Sequence, residues 1–171
     1  FDTTINKREF PKEILEAIEK SIHDSAPGGA MAGYPFINIK ATLTGAHYNE
    51  LEASEVAYAI AASQAFREAC KKATVRLLEP VMRLEVVTPI DYTGDVIADI
   101  NMKRGKILSM GSKQNKEQLI AEVPLAEMFG YSTDLRSKTQ GRASFTMTFL
   151  KYEEMGMDLA KSVLEAKGIF I

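Results

Sequence analysis

Two matched groups of cations and one short polar loop are the side chains best suited to chemistry in this chain, and the chemistry they suit is contact with a polyanion. Lys103, Arg104 and Lys106 form the first group, and Arg136, Lys138 and Arg142 the second. Each group sits at the C-terminal end of a predicted helix, where the macrodipole favours positive charge in any case. Binding and simple helix-end stabilisation therefore explain the charges equally well. The duplicate placement nevertheless predicts two basic corners on one domain edge, where phosphates could dock. The loop Gly45-Ala46-His47-Tyr48-Asn49-Glu50 adds an exposed aromatic among polar groups, a tip able to stack on a base.

Catalysis finds no material. His23 and His47 are the only histidines, and neither has a second histidine or a cysteine near it in sequence. Surface histidines explain both better than ligands or general bases. Cys70, the one cysteine, excludes an internal disulfide and a cysteine-built metal site, fits a reducing compartment, and falls on an alanine-rich face as a small core thiol. No Gly-x-x-x-x-Gly-Lys-Ser/Thr loop is present to cradle a nucleotide. Arg104-Gly105-Lys106 closes a helix, whereas anions bind where helices open. Glu52, Glu55, Glu153 and Glu154 read as solvated charges. Phe145 and Phe149 alternate like the stacking aromatics of an RNA-recognition motif, but they follow the second helix instead of preceding it, and the expectation is that they are core. No catalytic residue and no metal site is predicted.

The elements that must carry these groups follow from periodicity. The chain has 171 residues, 46% hydrophobic and 26% charged, with 21 Lys+Arg against 23 Asp+Glu. That composition is globular. Charge is nearly balanced in each segment, so no bulk positive field attracts nucleic acid and any contact must be local. No apolar run approaches the ~18 residues of a membrane span. The chain opens at Phe1, and a fragment is expected.

Pro11 suits a first helical turn, and Ile14, Leu15, Ile18 and Ile22 follow at helical spacing until Ala26-Pro27-Gly28-Gly29 breaks the pattern. Residues Tyr34 to Leu43 alternate as a strand with one wet face. Ser54 caps a second helix whose buried face is predicted as Val56, Ala59, Ile60, Ala62, Phe66, Ala69, Cys70 and Ala73. Residues 77–152 repeat a unit of strand, glycine, helix, glycine and strand. Its glycines are Gly94 and Gly105, then Gly130 and Gly141, so the copies lie 36 apart. Glycine after each helix fits a left-handed cap. Two such halves in tandem predict the β-α-β-β-α-β sandwich of ferredoxin-like domains, joined by a hairpin over 111–117. Met155, Leu159, Val163 and Leu164 make a last amphipathic helix that needs a partner and is expected back on the first domain.

Leu78-Glu79-Pro80-Val81-Met82-Arg83-Leu84-Glu85-Val86-Val87-Thr88-Pro89, Gly94-Asp95-Val96-Ile97 with Arg104-Gly105, and the run from Val123 to Arg136 are the most specific motifs in the chain. In them the chain resembles bacterial translation elongation factor G. Gln140 to Met147, Ala32-Gly33-Tyr34-Pro35 and the segment Ser54–Lys72 extend the resemblance over nearly the whole chain. It implies an α+β fold: a partial domain IV with a ribosomal-protein-like βαβ fold in 1–76, completed by the helix in 153–171, and a ferredoxin-like domain V in 77–152.

It also implies a partner. Domain IV of this family enters the small-subunit decoding region of the ribosome beside tRNA and mRNA, and domain V rests near the large-subunit GTPase centre. The resemblance places Ala46, His47, Tyr48, Asn49 and Glu50 in the RNA-facing tip loop and turns Lys103, Arg104, Lys106, Arg136, Lys138 and Arg142 toward rRNA. GTP and magnesium belong to an upstream domain of the parent, so this fragment is expected to bind neither and to act as a cytoplasmic monomer with no membrane contact. The family tip reads Gly-Ser-Tyr-His-(Asp/Glu)-Val-Asp-Ser-Ser-Glu. Aligned without a gap, Ala46 stands on its glycine, His47 on its serine, Tyr48 on its tyrosine and Asn49 on its histidine. Asn49 keeps donor and acceptor capacity but cannot carry charge. The implied function is promotion of tRNA–mRNA translocation. The alternatives are a paralogue acting in ribosome recycling, or a stand-alone RNA-binding or ligand-sensing ferredoxin-like module.

Overall fold

Pro11, at φ −57° and ψ 141°, caps α1, Lys12–Ser25, where a missing N–H is harmless. This computed structural model describes residues 1–6, 10–30, 32–51, 53–113 and 115–169. They divide into two compact units, residues 1–75 with 157–171, and residues 76–156.

In the first unit Ile14 and Ile18 of α1 bury with Phe10, and Ile5, Leu15, Ile22, Leu43, Tyr48, Tyr58 and Ala62 pack around them. The second helix, α2, spans Glu55–Lys72, and the Ser54 hydroxyl accepts from the Ala57 N–H at 3.1 Å as its cap. Small residues let the helices approach. Ser21 Oγ donates to the Ala59 carbonyl at 2.5 Å, and the Ser25 and Ser63 hydroxyls meet at 3.0 Å. The expected buried face of α2 is only partly right. Ala59, Ala62, Phe66 and Cys70 are half-buried, whereas Val56, Ile60, Ala69 and Ala73 are exposed. Tyr58 takes the inward place instead, edge-on to Phe10 at 6.0 Å, and that rotates Ile60 outward.

The strand predicted from Tyr34 to Leu43 shrinks to β2, Thr42–Leu43, parallel to β1, Asp2–Thr3. Asn38 has φ +54°, which no continuous strand accommodates. Phe36 leaves the alternation to pack edge-on against Phe66 at 5.9 Å. Helix α5, Met157–Glu165, belongs to this unit, with Leu164 buried and the Lys167 ammonium 4.2 Å from the centre of the Tyr34 ring.

The second unit is a four-stranded antiparallel sheet. Its strands are β3 (Leu78–Pro89), β4 (Lys106–Lys113), β5 (Lys116–Pro124) and β6 (Ser144–Glu154), in the order β4-β5-β3-β6. That is the ferredoxin-like order. Helices α3, Thr93–Met102, and α4, Tyr131–Lys138, share one core on one face of it. Leu84, Val86, Leu119, Ala121 and Val123 of the sheet meet Val96, Ile100, Tyr131 and Leu135 of the helices. Phe145 joins that core, edge-on to Tyr131 at 5.0 Å, as predicted. Phe149 does not: it is 55% exposed.

The duplication is real, but its structural period is 35. Pro89 and Pro124 each end a strand and open a short 3-10 turn; Val96 matches Tyr131, Ile100 matches Leu135, and Asp99 and Lys103 match Asp134 and Lys138. The glycines are therefore not equivalent. Gly94 lies inside α3, while Gly130 caps α4 at φ +80°. Gly141 takes the expected left-handed conformation, φ +74°, but in the first copy that conformation falls on Arg104, φ +57°. Gly105 is glycine for another reason. A Cβ there would stand 2.5 Å from Ile100 Cγ2 and 2.7 Å from the Ile100 carbonyl oxygen.

Candidate nucleic-acid interface

The loop 44–51 is held at several points. Tyr48 is half-buried, its ring 5.4 Å from that of Phe10. It is an anchor in the first core and not the exposed aromatic that the polar sequence around it suggests. The Tyr58 hydroxyl donates to the His47 carbonyl at 2.7 Å, and Asn49 Oδ1 accepts from the Leu51 N–H at 3.1 Å. What the loop presents to solvent is Ala46, the His47 ring, the remaining amide valences of Asn49, Glu50 and a Leu51 that is 94% exposed. Nothing in the surrounding sequence marks Leu51 for this exposure.

The six cations divide differently from the way the sequence groups them. Arg104 grips Glu79 with two parallel hydrogen bonds, Nη1 to Oε1 at 2.8 Å and Nη2 to Oε2 at 2.9 Å, and its Nε donates to Glu127 at 2.9 Å. Those bonds, from Glu79 first, hold its guanidinium pKa above the ordinary value despite partial burial. They also offset a left-handed backbone conformation that costs on the order of 1 kcal/mol. Lys103 Nζ lies 3.0 Å from Asp134, and Lys138 bonds Asp99, whose side chain is 4% exposed. These three cations clamp the unit together. Lys106, Arg136 and Arg142 are exposed and, among the described residues, make no ion pair.

The two lysine pairs also fix direction. The end of α3 meets the start of α4, and the end of α4 meets the middle of α3, so the helices run antiparallel. Their C-terminal ends lie at opposite ends of the helical layer. The single basic edge expected from sequence is thus two separate sites, because a βαββαβ duplication reverses the second helix. Sequence reasoning missed the carboxylates that consume the charge, although Asp99 and Asp134 repeat with the same spacing of 35 as Lys103 and Lys138.

Cys70 is a free thiol whose pKa burial raises, which makes it a poor nucleophile. Among the described residues no group of three His, Cys, Asp or Glu side chains is placed to hold a metal ion, and no helix is long and apolar enough to cross a membrane.

The chain was compared with known proteins. The family model for elongation factor G domain IV matches residues 1–74, and that for the elongation factor G C-terminus matches residues 76–163. The second match runs into α5, which the fold groups with the first unit. A crystal structure from Thermus thermophilus superposes with a TM-score of 0.89 at 36% identity, over 98% of this chain and 26% of that one. The chain thus spans about a quarter of the length of that relative. Two adjacent family matches covering almost all of the sequence leave one assignment: the chain belongs to the elongation factor G family, of which it carries domain IV and C-terminal domain sequence.

Proposed function

We propose that this chain is the ribosome-binding C-terminal part of a translational GTPase that promotes tRNA–mRNA translocation, acting as a cytoplasmic monomer. GTP and magnesium would be bound by a domain upstream in the parent. The first unit, with α5, serves as domain IV and brings loop 44–51 to the small-subunit decoding region beside tRNA and mRNA. The second serves as domain V and meets rRNA at the large-subunit GTPase centre.

The observation that supports this reading best is the pinned tip. Tyr48 against Phe10 and Tyr58 on the His47 carbonyl give the loop a fixed shape before any partner arrives, which reduces the ordering cost of an RNA contact. His47, Asn49 and Glu50 are then the RNA-facing groups of the tip, with Tyr48 their support. On the second unit the phosphate contacts are Lys106, Arg136 and Arg142, which make no ion pair among the described residues.

Salt dependence tests the division of labour. Removing Lys106, Arg136 or Arg142 from this chain should each shallow the slope of log affinity against log salt for ribosomes by about one unit at most. Arg104→Ala should leave the slope unchanged. Equal slopes for all variants would mean that the free cations are ordinary surface charges.

A second reading draws on Asn49. It stands on the family's tip histidine and spends its carbonyl oxygen on Leu51 inside the loop. That suits a paralogue specialised in ribosome recycling. Asn49→His in the full-length parent decides between the two. A large gain in single-round translocation favours the paralogue, and no change favours the translocase.

A further inference from the structure

The outward groups of loop 44–51 are not equally able to meet RNA. Glu50 is the loop's one full charge, and it has the sign of a phosphate, so it repels a polyanion. Ala46 and Leu51 offer no side-chain hydrogen bond, and Thr44 stands at the foot of the loop, directly after β2. Asn49 has committed its Oδ1 to the Leu51 N–H at 3.1 Å, which leaves its amide NH2. His47 is different. Its ring is exposed and makes no side-chain hydrogen bond or ion pair among the described residues. An imidazole can stack on a base and donate to an RNA oxygen, and it is the only group of the loop able to carry positive charge.

The same residue is also the best held. The Tyr58 hydroxyl, from α2, donates to the His47 carbonyl at 2.7 Å, and the next side chain, Tyr48, packs on Phe10. A side chain whose backbone is fixed beforehand loses less freedom on binding. His23, the other histidine, is equally exposed, but it stands on α1 with Asp24 3.9 Å away and has no such pins. The inward turn of Tyr48 has a second effect. Positions 47 and 49 flank it, both are exposed, and they lie at most about 7 Å apart along the chain. The family tip has serine at 47 and histidine at 49, where this chain has histidine and asparagine. The imidazole is therefore still present, on the other side of the anchor.

We propose that His47 is the residue through which the tip contacts RNA, in place of the histidine that the family tip carries at position 49, with Tyr58 as its positioning residue. Asn49 then serves the loop, through its bond to Leu51, and an imidazole on either side of Tyr48 suffices for the contact. This proposal rests on the ribosome-binding reading and selects one contact among the outward groups of the tip.

The test uses the full-length parent on ribosomes held before translocation, with two readouts: the single-round translocation rate, and hydroxyl-radical cleavage of the RNA around the bound factor. His47→Ser should slow the step roughly tenfold, the scale of one lost hydrogen bond, and should expose riboses that the unsubstituted factor protects. Its melting temperature should not change, since the ring is exposed. His47→Ser/Asn49→His returns the imidazole to the family position and should recover most of the rate. Tyr58→Phe should slow the step when His47 is present and add nothing in the His47→Ser background. His23→Ser should match the unsubstituted factor. Full-rate translocation by His47→Ser overturns the proposal, and so does a slowed variant whose RNA footprint is intact, which would put a protein at the ring. A double variant no faster than His47→Ser, or equal slowing by Tyr58→Phe in both backgrounds, also overturns it. Each of these results leaves the ribosome-binding reading standing. If the parent binds without translocating, the footprint alone decides. A parent that leaves no footprint on ribosomal RNA overturns both.

Discussion

Tyr131 shows how much a single side chain can be asked to bear. It is buried, sits edge-on to Phe145 and beneath the Lys103 ammonium at 5.9 Å, yet its hydroxyl finds no hydrogen-bond partner among the described residues. Burial first, then the nearby Asp99 and Asp134 carboxylates, push the phenol above its ordinary value of 10.0. The folded state therefore resists ionisation more than the unfolded one does. Stability from this source is complete below about pH 9 and declines as pH rises past about 10. In Tyr131→Phe that alkaline decline should be smaller, while stability at neutral pH stays within about 1 kcal/mol because no bond is lost. Urea titrations at pH 7 and pH 10.5 check both halves. Arg104 presents the opposite case. Arg104→Ala strands Glu79, 6% exposed, without a countercharge. The expected loss is about 2 kcal/mol, less than for a fully buried pair because one side of the guanidinium meets water. Denaturant midpoints measure it, and Arg104→Lys should recover only part, since an ammonium cannot reproduce the two-pronged grip.

Elements were legible in the sequence wherever a local signal agreed with packing. Pro11 and Ser54 mark their helices, and the apolar runs of β3 and β5 mark central strands. The Tyr34–Leu43 strand misleads because alternation is necessary for a ladder but supplies no partner, and Asn38 breaks it. The glycine spacing misleads more subtly: one extra residue, around Gln140 and Gly141, lengthens the second helix-to-strand turn and converts a packing period of 35 into a glycine period of 36. The tip was legible as a loop, but Tyr48 was not legible as an anchor, because its partner Phe10 lies far away in sequence. Pseudo-symmetry gives a sharp expectation. Lys103 and Lys138 are equivalent by position, yet Asp134 is 44% exposed and Asp99 only 4%. Lys138→Met should therefore destabilise the unit by about 2 kcal/mol more than Lys103→Met. Thermal melts of the two variants decide it, and equal shifts would mean that Asp99 finds another partner.

The whole molecule is unevenly built. Among the described residues, ten buried side chains form the core of the second unit, while Phe10, Ile14 and Ile18 are the buried cluster of the first. Calorimetry should resolve two transitions, the lower one from residues 1–75 and 157–171, and hydrogen exchange should protect 78–154 for longest. A single sharp transition would show that the units unfold together. One further property follows from how the chain is threaded. The first unit is written in two pieces, with roughly 80 residues of the second between them, and α5 leaves the ribosome during synthesis only after the whole second unit has done so. Left as coil, that intervening stretch would tax the docking of α5 with a loop-closure entropy of about 4 kcal/mol. Folded, it ends where it began: Leu78 pairs with Glu154, and the Met155 N–H donates to the Leu77 carbonyl at 2.9 Å. The second unit thus acts as a clasp: once folded, it brings the two pieces of the first unit within reach of each other without that entropic toll.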